Sequence, residues 1–227
     1  MKKPLLAFAA IALTGLLTPS AHAILMGVAG PNSSMGTAPA IIGAPAHALD
    51  DILTNTGMQG FNEAQGVTTT VAHMIDGGGT IAVGTLVNSH MIFLNSAGTQ
   101  SLTHFGVTWT FTDMILGVMS DGNGNLEAAS TFELGAPGTN YTVPFVGSGP
   151  AAPFPARGLE GNNGTGLGAD GYQILGNQLQ VGMFVTEPGD WIRVITASTI
   201  PEPGTILPLG SGLAGLGLWR WKKGEAA

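Results

Sequence analysis

Beyond His22 near its start, the 227-residue chain holds four histidines: His47, His73, His90 and His104. Aspartates follow two of them three residues later, Asp50 after His47 and Asp76 after His73. An imidazole base, a carboxylate that orients it and a nucleophile would together make a hydrolytic site, provided that they converge within hydrogen-bond reach. None of the four lies in a recognised pairing such as His-Glu-x-x-His. His73 falls on one strand face with Val67, Val71 and Ile75, where a hydrogen-bonded core or edge histidine is the ordinary outcome. No catalytic residue is assigned.

Oxygen ligands recur at every second residue in Asp121, Asn123, Asn125 and Glu127, the opening rhythm of a calcium loop. The rest of that pattern fails, because Leu126 and Phe132 stand where glycine and glutamate are needed. A turn rich in asparagine and glycine is the expectation, with calcium the one ion these oxygens could attract weakly and no other cofactor implied. Asp113 would continue the alternation of Val107, Trp109 and Phe111 onto an apolar face, where an unpaired charge is too costly. The expected escape is a bulge at Thr112 and Asp113 that resets the phase and hands the inner face to Met114, Leu116 and Val118. Gly166, Gly168 and Gly171 match the spelling of a dinucleotide loop, but no apolar strand precedes them and no helix follows to meet a pyrophosphate. With no cysteine, the chain forms no disulfide, thiolate metal site or thiol nucleophile.

Charge is scarce and unevenly placed. Charged residues make up 9% of the chain, against roughly 25% in an ordinary domain. The net charge is -7, and a nucleic-acid-binding surface is not expected. Of the cations, only Arg157 and Arg193 lie away from the two ends. Lys2 and Lys3 precede an apolar run over residues 5–17, about 20 Å long as a helix and short of the roughly 30 Å hydrocarbon core. Ala21 and Ala23 then suit signal peptidase. The expectation is a secretory signal peptide over residues 1–23, with Ile24 as the mature start. At the other end Pro201, Glu202 and Pro203 precede an uncharged, glycine-rich stretch, with Trp219 and Trp221 at its edge and the basic cluster Arg220, Lys222 and Lys223. Residues 204–221 would span about 27 Å as a helix, the layout of a short transmembrane tail.

This order of Pro-Glu-Pro, apolar segment, basic cluster and chain end, behind a signal peptide, resembles the PEP-CTERM proteins, exported bacterial proteins processed by exosortase. Residues 60–67, 87–95, 115–121 and 186–194 look like blocks that recur in many ectodomains of that group. The resemblance implies signal peptidase and exosortase as processing partners and transient anchoring in the inner membrane of a Gram-negative bacterium. It further implies cleavage near Pro201, Glu202 and Pro203 and delivery to the cell surface or an extracellular polysaccharide matrix. It carries no assigned activity for the ectodomain. In that setting the glycosylation sequons at Asn32, Asn140 and Asn163 read as polar loops.

Between the two signals, residues 24–200 are long enough for one domain with a real core. Residues 24–45, broken by Pro31, Pro39 and Pro45, read as a loose leader or an early strand, and residues 46–53 as one short helix. Downstream the period is two. Val107, Trp109 and Phe111 alternate with threonines, and Leu179, Val181, Met183 and Val185 with Gln178, Gln180, Gly182 and Phe184. Turn signals at 76–79, 121–125, 176–177 and 187–190 separate such runs, and residues 172–198 read as a three-stranded antiparallel meander. Parallel crossovers would need helical stretches of ten or more residues, and none is visible. The expected fold is an all-β antiparallel sandwich, jelly-roll-like. Residues 136–169 are expected to form a long loop with at most one strand, near 141–146. The expected function is that of an exported surface or matrix protein, non-enzymatic and associated with exopolysaccharide; an extracytoplasmic hydrolase of a glycan or ester is the alternative.

Overall fold

The computed structural model describes residues 24–48, 52–143, 152–153, 158–159, 170–186 and 189–198. The expected signal peptide, the sorting tail, Asp50, Arg157, Asn163 and most of the glycine pattern at 166–171 lie outside them. In chain order the strands are β1 (Leu25–Ala29), β2 (Ala40–Ile41), β3 (Gln59–Asn62), β4 (Val67–Thr68), β5 (His73–Met74), β6 (Thr80–Ile81) and β7 (Leu86–Leu94). They continue with β8 (Leu102–Phe111), β9 (Ile115–Met119), β10 (Thr142–Val143), β11 (Ala152–Pro153), β12 (Gly171–Leu175), β13 (Gln178–Val185) and β14 (Asp190–Ala197). Among the described residues one α-helix, α1 (Asn125–Leu134), lies between β9 and β10, and a 3-10 turn spans Asp76–Gly78. The described chain is therefore mostly β, in antiparallel and mixed sheets.

The period-two strands build a four-stranded antiparallel sheet in the order β1-β8-β13-β12. Val107, Trp109 and Phe111 of β8 and Leu179, Val181, Met183 and Val185 of β13 are buried on its inner side, as the alternation requires. Between Val107 and His104, β8 carries one residue more than β13 opposite it. Gly106, at φ +71°, accommodates that bulge in a region other residues avoid.

The second large sheet runs β2-β3-β7-β14-β9, with β4 also beside β7. Ile92, Leu94, Ile115, Val118, Ile192 and Val194 from this sheet share one core with the inner side of the first. Its other side is covered too: Phe61, Met91, Phe93 and Trp191 cluster with Tyr141, and Val87, Met119 and Ile195 with Leu134 of α1. Trp191 stacks on Phe93 with ring centroids 4.2 Å apart.

Several expectations are corrected. Over its described part, residues 46–53 form no helix, because Ala46 and Ala48 spend their backbone groups on Asn140 and His47 bridges to it. The meander loses its third strand. β13 is flanked on both edges by β8 and β12, and β14, apolar on both faces, enters the second sheet between β7 and β9. β2 and β3 pair in parallel without a helical crossover in the described residues. The α-helix found among the described residues, α1, lies where the sequence reading places a turn and no helix. At Asp113 the phase does reset, through a change of sheet between β8 and β9. However, Met114 is 67% exposed and Leu116 is exposed, while Ile115 and Val118 face the core, because a register shift opposite Ile115 displaces the alternation. Residues 136–169 contribute two paired strands, β10 and β11, and return Leu159 to the core.

Candidate functional site

The histidines are used up by the fold in two cases. His104, buried on β8, accepts from the Met58 amide at Nδ1 (2.8 Å) and bonds the Pro31 carbonyl through Nε2 (2.8 Å), which makes Nε2 the protonated nitrogen. Burial lowers its pKa, partly opposed by the Pro31 bond. His90, fully buried on β7, lies against the Phe111 ring and bonds Asn62 Oδ1 (2.8 Å) and the Thr196 hydroxyl (3.1 Å). Burial pushes its pKa down to about 3. Both rings are neutral cross-links between elements, and His47 is exposed. The four do not converge.

His73 behaves differently. It sits buried on β5, and its Nε2 meets Glu133 Oε2 of α1 at 2.5 Å. Glu133 Oε1 accepts from the Thr70 amide (2.6 Å) and hydroxyl (2.8 Å). Burial pushes the Glu133 carboxyl up, but the Thr70 and His73 bonds win and hold it below its usual range. Each partner lines a hollow. An open groove of about 580 Å³ is lined by Val67, Phe132, Glu133, Thr139, Asn140 and Tyr141. A smaller one of about 160 Å³ is lined by Val71, His73, Met74 and Leu126. A histidine oriented by a carboxylate is two parts of a nucleophilic site. The Thr70 hydroxyl is committed to Glu133, so it does not complete one. Asp76, the partner suggested by spacing, bonds instead to the Ser120 amide and the Tyr172 hydroxyl.

A buried ion pair that the sequence does not announce holds α1 to the second sheet. Arg193 of β14 donates from Nε and Nη2 to Glu63 at 2.7 and 2.9 Å, both side chains being fully buried. Its Nη1 donates to the Glu127 carbonyl and the Ser130 hydroxyl, both at 2.6 Å. Ser89 and Tyr141 hydroxyls donate to the remaining Glu63 lone pairs. Burial opposes the guanidinium charge, yet Glu63 raises the Arg193 pKa overall. Burial, then the Glu63 charge, pushes the Tyr141 phenol far up, so it stays a donor.

The oxygen-rich series at 121–127 is an N-terminal helix device. Asp121 Oδ1 accepts from the Leu126 amide and Oδ2 from the Asn125 side chain. Glu127 points inward, and no other residue hydrogen-bonds its carboxyl. Burial raises its pKa well above the usual carboxylate value; its own backbone amide and the Arg193 charge oppose the rise, and the charges of Asp121 and Asp76 add to it. Among the described residues, no three His, Asp or Glu side chains group closely enough to hold a metal ion.

The outer face of the four-stranded sheet has a different chemistry. No Asp, Glu, Lys or Arg occurs in β1, β8, β12 or β13. Pairing sets Ala29, Thr108, Gln180 and Gln173 in one row and Gly27, Thr110, Gln178 and Leu175 in the next. This ladder of hydroxyls and amides is the uncharged side of the alternation that builds the core.

Comparison with protein-family models, with curated proteins and with solved structures finds no match.

Proposed function

We propose that this is an exported, non-enzymatic cell-surface or matrix protein of a Gram-negative bacterium, sorted by exosortase and associated with extracellular polysaccharide. The observation that carries the reading is the order of signals around the fold. The first strand begins at Leu25, two residues after Ala23, and the last ends at Ala197, four residues before Pro201. Cleavage at Ala23 and near Pro201, Glu202 and Pro203 would therefore release the sheets without cutting one. The shared core of the two large sheets supports a sandwich, jelly-roll-like in our reading, as the exported body. Two of the histidines are consumed by structural hydrogen bonds, which favours a binding role over catalysis.

Replacing Pro201, Glu202 and Pro203 together with alanine tests the sorting step in a host that has exosortase. The unaltered protein is expected in the surface and matrix fractions and the variant in the membrane fraction. Equal distribution of the two would overturn the reading.

The second reading, an extracytoplasmic hydrolase of a glycan or ester, rests on the His73–Glu133 pair beside its small hollow. Turnover of a model ester that His73→Ala abolishes would favour it.

A further inference from the structure

We infer that the outer face of the four-stranded sheet binds a neutral, hydroxyl-rich polysaccharide; this deepens the matrix-associated reading above and rests on it. The exported part carries about -10, with histidines neutral, yet none of that charge lies on β1, β8, β12 or β13. Their one histidine, His104, is buried and committed to Met58 and Pro31. A polyanion finds no cation on these strands.

What the face does offer is unspent hydrogen-bonding capacity. The amides of Gln173 and Gln180 and the hydroxyl of Thr108 are only partly buried, and no hydrogen bond engages them. Within the second row, Gln178 Nε2 donates to Thr110 Oγ1 at 3.3 Å. A primary amide presents donor and acceptor side by side, and a threonine hydroxyl is both at once. Adjacent sugar hydroxyls need that pairing. Strands lie about 4.8 Å apart and same-face neighbours about 7 Å, so the groups are spread at intervals on the order of a sugar ring. Phe184, on the same face of β13, is 47% exposed and offers a flat apolar surface for the C–H side of such a ring. A methyl group placed on Gly27 would meet no atom within 4 Å, so the face is open where the second row reaches β1.

The test uses the full-length protein in mild detergent and measures retention on cellulose, curdlan and immobilised dextran, with alginate as the anionic polymer, in calcium and in chelator. We expect retention on at least one neutral polymer, unchanged by chelator. The double variant Thr108→Ala, Gln180→Ala, and separately Phe184→Ala, should weaken it by about tenfold without lowering Tm, whereas Phe132→Ala, at the groove beside Glu133, should leave it unchanged. Three results would overturn the assignment: binding only to alginate with calcium; variants retained like the parent; or no glycan binding together with self-association that the double variant abolishes. Expression of the double variant in the host separates this inference from the one beneath it. If the parent is not delivered to the surface the sorting reading fails; if both are delivered and bind neutral polymer alike, only the present inference fails.

Discussion

Acidification provides a quantitative test of the core, because His90 must stay neutral to remain where it is. Its pKa is about 3 in the folded protein and about 6.5 when unfolded. Between those values the unfolded chain holds a proton that the folded one does not, so stability is full above about pH 6.5 and falls as pH drops toward 3. The shift of about 3.5 units corresponds to about 5 kcal/mol at its limit, and between about pH 7.5 and 4.5 to about 3 kcal/mol. That is a large part of the 5–15 kcal/mol that typically holds a domain together. Glu127 acts in the opposite sense: its raised folded pKa means that its contribution is lost as pH rises above the unfolded value. The readout is therefore a difference. Urea denaturation of the protein and of His90→Gln, at matched pH values, should show the two stabilities converging by about 3 kcal/mol as pH falls from about 7.5 to 4.5. Glutamine can keep polar contacts to Asn62 and Thr196 but cannot titrate. Parallel curves would refute the neutral-histidine argument.

Glu127→Gln should raise stability at neutral pH, with the gain growing as pH rises above the carboxyl's unfolded value, because the amide brings no charge into the buried site; urea midpoints measure it. Arg193→Met should cost about 3–5 kcal/mol in the same assay by leaving Glu63 buried and unpaired, and adding Glu63→Gln should recover part of the loss. Gly60→Ala should cost about 1–3 kcal/mol, because the new methyl would lie 2.7 Å from Trp109 Cζ3 and 3.0 Å from Leu25 Cδ2; a lowered Tm checks it.

The strands that could be read from the sequence are those with one solvent face. β13, and β8 from Val107 to Phe111, alternate because each divides its residues between core and water, and Gly176 and Asn177 mark the hairpin from β12 to β13. A turn signal says where the chain bends but not which sheet receives the next strand, so the meander reading sets β14 beside β13 while the fold sets it between β7 and β9. Its apolar residues on both faces, Trp191, Ile192, Val194 and Ile195, were the available clue to a central position. α1 was invisible for a chemical reason. Its buried positions include Glu127 and Ser130, drawn inward beside Arg193, while Phe132 is 72% exposed, so the hydrophobic pattern that marks a helix is inverted. Glu63 with Arg193, and His73 with Glu133, are joined only by folding across long stretches of chain, and no spacing rule connects them. The polar ladder was legible as hydroxyls and glutamines on alternate positions; its rows required the strand order.

The most direct test of the account is the intact mass of the protein recovered from the surface or matrix of a host with exosortase. The account predicts a species that begins at Ile24 and has lost the tail after the region of Pro201, Glu202 and Pro203. A surface form that still carries Trp219, Arg220, Trp221, Lys222 and Lys223 would contradict it.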